Sequence, residues 1–251
     1  MDLGLGLAIA AAGIVLGIAI GATGIGGVLL VPILTLALGL DVKHAIAAAL
    51  LSYLPSCLVA VALYARRGSI PWRDAWLLCL AALPAAWLGA RAASHAPAVL
   101  LEGAIGMLLL AGGLYALRAP RGTPRARMAL PPMTLLGLGG GTGFVSAMTG
   151  AGGAFVLLPL LLLLDTPVLA AIGLGQAIAI PISGLASAVN FAAGLVDLRL
   201  AGGLAAALTL GIVIGTPIAH ALPQQKLRRL LGGAVVLAGC AMLLRTAARL
   251  L

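Results

Sequence analysis

From Leu3 to Leu40 the chain runs 38 residues without an Asp, Glu, Lys or Arg, nearly twice the roughly 20 residues a helix needs to cross a bilayer. Such a run has to turn, and the turn must satisfy its own backbone groups, because lipid offers them no hydrogen-bond partner. Its place is marked at Ala22-Thr23-Gly24-Ile25-Gly26-Gly27. Each Gly in a helix interior costs roughly 1 kcal/mol relative to Ala, so three in four residues break the helix. The 13 residues left after the break, Val28 to Leu40, reach only about 20 Å at 1.5 Å per residue, short of a hydrocarbon core of about 30 Å. The two pieces are therefore read as a re-entrant pair that meets near the midplane and returns to its starting side.

Composition supports the same solvent. Hydrophobic residues make up 63% of the chain and charged residues 8%, with a mean hydropathy of +1.20. That excludes an ordinary soluble surface and leaves no room for a separate soluble domain. The net charge of +9 lies mostly in short connections between apolar runs, where membrane orientation explains it better than nucleic acid does. Met1-Asp2-Leu3 lacks the basic start of a secretory signal, so the first apolar segment is expected to stay in the mature protein. Cys57, Cys79 and Cys240 are isolated and show no C-x-x-C spacing, so neither a disulfide framework nor a metal site is indicated. No cofactor is expected.

Three ordinary spans follow the broken run, at about 44–65, 73–91 and 98–118. A second broken run at about 131–164 precedes spans near 167–191, 200–221 and 227–245. Met148-Thr149-Gly150-Ala151-Gly152-Gly153 repeats the first glycine cluster 126 positions later. At that same offset Thr23, Gly24, Gly26, Gly27, Ala45, Ile46, Pro55, Gly68, Arg73, Gly89 and Pro97 meet Thr149, Gly150, Gly152, Gly153, Ala171, Ile172, Pro181, Gly194, Arg199, Gly215 and Pro223. The chain divides into a first membrane repeat over 1–118, a basic cytoplasmic linker over 119–130 and a second membrane repeat over 131–251.

A re-entrant pair changes no sides and three spans change sides three times, so the second repeat must begin on the opposite face. The predicted architecture is an all-α polytopic membrane protein of two inverted repeats, each a broken, re-entrant helix pair plus three transmembrane helices. One face then carries ten basic residues, Arg66, Arg67, Arg73, Arg118, Arg121, Arg125, Arg127, Lys226, Arg228 and Arg229. The other carries five, Lys43, Arg91, Arg199, Arg245 and Arg249. The positive-inside rule puts the first face in the cytoplasm and both termini outside. Reading each broken run as a single crossing gives the same 10-to-5 split with both termini inside, so the length argument decides.

The helix piece after each glycine cluster begins at mid-membrane with its N-terminus, where unpaired N–H groups and the positive end of the helix dipole gather. Such an end is an anion site. Gly24, Gly26, Gly27, Gly150, Gly152 and Gly153 let a ligand approach the backbone, and Thr23 and Thr149 can add a hydroxyl or cap the following helix. In an inverted pair the two ends point toward each other, and no Lys or Arg falls near the middle of any span. The competing account is that these glycines only permit close helix packing.

The stretch Thr-Gly-Ile-Gly-Gly-Val-Leu-Leu-Val-Pro ending at Pro32 and its partner Thr-Gly-Ala-Gly-Gly-Ala-Phe-Val-Leu-Leu-Pro ending at Pro159 resemble the sulfite exporter TauE/SafE family of bacterial membrane permeases. So do Ala45-Ile46-Ala47 and Ala171-Ile172-Gly173. The resemblance covers essentially the whole chain. It implies transport of small sulfur-containing or carboxylated organic anions across the bacterial cytoplasmic (inner) membrane, often as export. The family's usual Gly-Thr-Ser after the Ala-Val/Ile pair is absent: Ala47-Ala48-Ala49 stands in one half and Gly173-Leu174-Gly175-Gln176 in the other.

Gln176 lies well inside a span and is read as facing the cavity, with an interhelical hydrogen bond as the alternative. Ser52, Ser56, Ser183 and Ser187 flank Pro55 and Pro181, whose kinks free carbonyls; these serines are read first as satisfying local backbone and second as cavity candidates, and Asn190, nearer a span end, equally as a cavity candidate or a helix-end bond. Arg91, His95 and Glu102 are expected to form an interfacial ion pair, Asp197 and Arg199 a surface pair, and His44 and His220 to be satisfied or snorkelling at span ends. No Ser/His, paired-Asp or H-E-x-x-H constellation lies within the spans, so no catalytic residues are assigned and an enzyme is not expected. The function read from the sequence is a transporter working by alternating access on a small anion. An anion channel and a non-transporting membrane assembly protein are the rivals, and proton coupling and facilitated export both fit.

Overall fold

Helix is the secondary structure that lipid allows this chain, and every described element is one. The computed structural model describes residues 3–118, 130–221 and 224–249. The first broken run is α1 (Leu3–Thr23), a 3₁₀ turn (Gly26–Leu29) and α2 (Leu30–Leu36); three long helices follow, α3 (Val42–Arg66), α4 (Trp72–His95) and α5 (Ala98–Arg118). The second run is α6 (Pro132–Thr149) and α7 (Gly153–Leu163), followed by α8 (Val168–Ala192), α9 (Leu198–Ala221) and α10 (Gln224–Ala248). Among the described residues six helices are long and apolar enough to cross a membrane: α3, α4, α5, α8, α9 and the Leu231–Ala248 part of α10. The protein is a multi-pass membrane protein. The linker at 119–129 and the side chains of Lys226, Arg228 and Arg229 lie outside the described residues, so the basic face is described only in part.

The packing exchanges elements between the halves. α1 lies along α9, with Gly13 on Ala207, Gly17 on Gly211 and Gly21 on Ile212 and Thr216, so the two run parallel. α6 lies along α4 in the same way, with Gly139 on Leu78 and Gly143 on Ala82. The four-residue spacing of small residues lets these backbones approach closely, which is how apolar helices associate without a hydrophobic driving force. α3 and α8 run antiparallel, with Leu54 near Gly184 and Tyr64 near Gly173. α5 and α10 also run antiparallel, with Gly113 on Gly232 and Gly106 on Gly239. Gly13, Gly17, Gly106 and Gly113 stand 126 positions before Gly139, Gly143, Gly232 and Gly239, extending the repeat to positions that composition had hidden.

After each glycine cluster the chain folds back. Gly26 packs against Leu16 and Ala19 of α1, and α2 returns beside Ile9, Ala12 and Gly13. The first piece is not a half-helix, however. At 1.5 Å per residue α1, with 21 residues, extends about 31 Å and α6, with 18, about 27 Å. Gly21 accordingly sits against Ile212 and Thr216, well past the middle of α9. The descending 3₁₀ turn then brings Gly27 level with Tyr53, midway along α3. The meeting point near the middle is thus made by the returning pieces rather than by both.

Several expected pairings take other forms. Glu102 does not join Arg91 and His95. Its Oε1 accepts from Arg249 at 2.8 Å and lies 3.9 Å from the Arg245 Nε, because α10 rather than α4 packs along α5. Arg245 also donates to the Thr35 carbonyl at the end of α2. Arg91 stacks over Trp87 at 4.7 Å, and His95 bonds the Arg91 carbonyl. Asp197 caps α9 through the Arg199 and Leu200 amides instead of pairing with the Arg199 side chain. His44 faces Asp41 at 3.7 Å.

The swapped packing makes a graded stability test. An added Cβ at Gly143 would lie 2.7 Å from the Ala82 carbonyl oxygen, whereas at Gly202 it would meet nothing within 4 Å. Gly143→Ala is expected to destabilise by about 1–3 kcal/mol by forcing α4 and α6 apart. Gly202→Ala is expected to be neutral or to stabilise by up to about 1 kcal/mol. Thermal unfolding in detergent, followed by size-exclusion chromatography, separates the two.

Candidate functional site

The two glycine clusters are built alike. Thr23 closes α1 by donating its hydroxyl to the Ala19 carbonyl at 2.8 Å, and Thr149 closes α6 through the Val145 carbonyl at 2.7 Å. Gly24 and Gly150 follow with φ of +74° and +68°, a left-handed conformation that L side chains rarely adopt. Their amides cap the preceding helices on Ile20 and Ser146, both at 2.9 Å. The Thr23 oxygen accepts from the Ile25 amide at 3.3 Å, and Ser146 reaches across its break to the Gly152 carbonyl at 3.4 Å. Neither the 3₁₀ turn at Gly26 nor α7 at Gly153 has a side-chain cap at its N-terminus.

The left-handed glycine of each break is seated by the opposite repeat. Gly24 rests on Ile172 of α8 and Ala154 of α7, while Gly150 rests on Ile46 of α3 and Val31 of α2. Ile46 and Ile172 are the matched isoleucines of the Ala-Ile pairs. Gly153 packs on Ile178 and Ala179, and Gly27 on the ring of Tyr53. All eight cluster residues are buried except Gly152, which is half-buried.

Tyr53 joins the two clusters, and sequence reasoning missed it. Its hydroxyl donates to the Gly27 carbonyl, and its ring is the nearest group to Gly152 on the other side. Its repeat mate is Ala179, so the aromatic ring is present once where the break is present twice. A signal was available in a chain with only three tyrosines: one of them stands in mid-span, two residues before the matched Pro55.

Gln176 is 1% exposed and bonds between helices, donating to the Ile20 carbonyl at 3.3 Å and accepting from the Cys57 thiol at 3.4 Å. In this conformation it ties α8 to α1 and α3, beside the Thr23 cluster. Ser52 and Ser56 serve their own helix, through the carbonyls of Ala49 and Ser52, and Ser56 also reaches Thr209 of α9 at 3.2 Å. Ser183 Oγ and Asn190 Nδ2 are buried without a hydrogen bond, as are the hydroxyls of Thr142 and Ser187. Among the described residues no group of His, Cys, Asp and Glu is arranged to hold a metal. The cavity of about 260 Å³ between α1 and α2 is walled by Ile9, Leu30, Leu34, Leu38 and Leu204, so an anion would find no polar partner there.

Two substitutions probe the centre. Tyr53→Phe removes one of two donors to the Gly27 carbonyl, which keeps the Leu30 amide, and is expected to cost about 0.5–1.5 kcal/mol. Gln176→Leu, which installs the residue found at its repeat mate Leu50, removes one of the two bonds to the Ile20 carbonyl, which keeps the Gly24 amide, and takes the acceptor from the Cys57 thiol, at a similar cost. Melting temperatures measured for the single and double variants test both, and the double is expected to be additive if the two bonds are independent.

The model of the family described as Sulfite exporter TauE/SafE matches residues 9–242, nearly the whole chain. No curated protein and no solved structure matches.

Proposed function

The chain belongs to the sulfite exporter TauE/SafE family, a family of membrane transporters, and we propose that it carries small sulfur-containing or carboxylated organic anions by alternating access, as an exporter of the bacterial inner membrane. The observation that carries this reading is the convergence on Tyr53. The 3₁₀ turn leading into α2 and the start of α7 come from opposite repeats, and their glycines, Gly27 and Gly152, face the same ring. Each helix start carries about half a positive charge in its unpaired N–H groups. Two such ends together offer an anion roughly one positive charge, with no Lys or Arg at that depth.

The lack of a full cation suits transport. A buried arginine would hold an anion too tightly to release it, whereas backbone dipoles bind and let go. Thr23, Gly24, Gly26, Gly27, Thr149, Gly150, Gly152, Gly153 and Gln176 form the proposed binding shell. Ser52, Ser56, Ser183 and Asn190 stand in a second ring. The threonine hydroxyl protons are engaged on Ala19 and Val145 and the Tyr53 proton on Gly27, leaving the backbone N–H groups as the donors for substrate.

The inverted arrangement of repeats 1–118 and 131–251 is supported by the helix directions. Equivalent helices α3 and α8, and again α5 and α10, run antiparallel, as they must if the two-fold axis lies in the membrane plane. Rocking one repeat against the other would then open the Tyr53 region to each side in turn. With repeats inverted, Asp41→Cys and Asp165→Cys are expected to react with an impermeant thiol reagent from opposite faces of the membrane; labelling from one face would remove this arrangement.

Substrate class is tested by thermal stabilisation of purified protein against sulfite, thiosulfate, sulfoacetate, taurine, acetate and chloride. A ligand at a hundred times its Kd is expected to add about 2.7 kcal/mol to the folded state. The shift is expected with the sulfur oxyanions or carboxylates and to be weakened in the Thr23→Ala/Thr149→Ala variant, whose two helix ends lose the hydroxyl bonds to Ala19 and Val145 that fix the breaks. No shift with any anion in folded protein would move the glycines to a purely packing role.

A further inference from the structure

In a helix, a buried serine or threonine hydroxyl has a ready partner in the carbonyl four residues back. Thr23, Ser56, Thr149, Thr216 and Thr246 all use it, on Ala19, Ser52, Val145, Ile212 and Met242. Ser183 and Ser187 of α8 do not. Both are buried, at 0% and 6% exposure, and neither hydroxyl makes a hydrogen bond. Asn190, 3% exposed, leaves its amide nitrogen equally unpaired. These three residues are spaced i, i+4 and i+7 and share one face of the helix with Gln176, seven residues earlier. Thr142 of α6 is also unbonded, but it stands alone on its helix; a row of buried polar groups unpaired by protein is costly in a membrane unless it faces a cavity that water can enter.

The repeat supplies an internal comparison. On α3 the mates of Ser183, Ser187 and Asn190 are Cys57, Val61 and Tyr64. Cys57 is bonded to Gln176, Val61 is apolar, and Tyr64 plugs its end of the molecule, its hydroxyl on the Gly21 carbonyl at 2.8 Å and its ring beside His220 at 5.3 Å. The same face of the same helix therefore carries bonded or apolar residues in one half and small, polar, unsatisfied ones in the other. Because α8 runs antiparallel to α3, the polar track leads from Gln176 toward the end of the molecule that holds Asp41 and Glu102. That is the end assigned to the outside by the charge distribution.

We infer that Ser183, Ser187 and Asn190 line a hydrated path for small anions between the centre and the outer face, while Tyr64 and His220 close the cytoplasmic end. What the path leads to rests on the anion-site reading above; its existence does not. The test places single cysteines by Ser183→Cys, Ser187→Cys and Asn190→Cys in full-length protein whose native thiols are removed by Cys57→Ser, Cys79→Ala and Cys240→Ala. Vesicles of known orientation are treated from the outer face with the anionic reagent 2-sulfonatoethyl methanethiosulfonate. A thiol reacts as thiolate and needs water to ionise, so these positions are expected to modify at least about tenfold faster than the repeat mate Val61→Cys and the lipid-facing Leu58→Cys. The expected order is Asn190, then Ser187, then Ser183.

Rates no faster than at Val61→Cys, in protein where Gly194→Cys in the adjoining loop reacts, would overturn the path. The two readings fail separately. Reactive cysteines in a protein that binds none of the anions would keep the path and remove the anion site. Inert cysteines in a protein whose anion-dependent stabilisation persists would remove the path alone.

Discussion

Every backbone amide inside lipid must find a partner within the protein, and the rest of this structure follows from how two deliberate violations are accommodated. An unsatisfied peptide group in hydrocarbon costs several kcal/mol. A helix can therefore break inside the membrane only if protein surrounds the break. Here the left-handed glycine of each break is covered by the other repeat: Gly24 by Ile172 and Ala154, Gly150 by Ile46 and Val31. Each half covers part of its own break, Gly26 on Leu16 and Ala19 and Gly153 on Ile178 and Ala179, and the other half covers the rest. This explains why α1 lies along α9 and α6 along α4, and why the four-residue stripes of Gly13, Gly17 and Gly21 and of Gly139 and Gly143 are needed to bring those backbones together.

The same constraint concentrates chemistry where the helices end. No Lys or Arg falls near the middle of a span, so the proposed anion site relies on the backbone. Backbone N–H groups gathered at a helix start are the remaining positive feature. The polar side chains nearby play unequal parts. Thr23, Thr149, Ser52 and Ser56 are occupied with carbonyls of their own helices, Gln176 and Cys57 hold three helices together, and Tyr53 links the two breaks. Duplication produced a symmetric frame, and later divergence at Tyr53/Ala179, Gln176/Leu50 and Tyr64/Asn190 made its two halves different.

Much of the frame was legible in the sequence because lipid leaves so few choices. Apolar length located the helices to within a few residues, as for α3, expected at about 44–65 and observed at Val42–Arg66. The glycine clusters located both breaks, because no other residue tolerates the positive φ found at Gly24, Gly150 and Gly152 so readily. The re-entrant length was misjudged: nothing in an unbroken apolar run says where its first helix meets its neighbours, and α1 continues past the middle of α9. The partners of Glu102 were also misjudged. Proximity in sequence favoured Arg91 and His95, but the antiparallel packing of α5 on α10 delivered Arg245 and Arg249 instead.

The sequence by itself determined that this is a membrane protein, that it is a duplication with an offset of 126, where each helix breaks, and which family it resembles; these depend on composition, spacing and backbone propensity, which are local. Only the tertiary structure decided which helix covers which break, that Tyr53 stands between the two clusters, and that Ser183, Ser187 and Asn190 remain unpaired while Ser52 and Ser56 do not. Those facts depend on the directions in which distant helices cross. Helices of uniformly apolar composition carry almost no pattern that would fix those directions in advance.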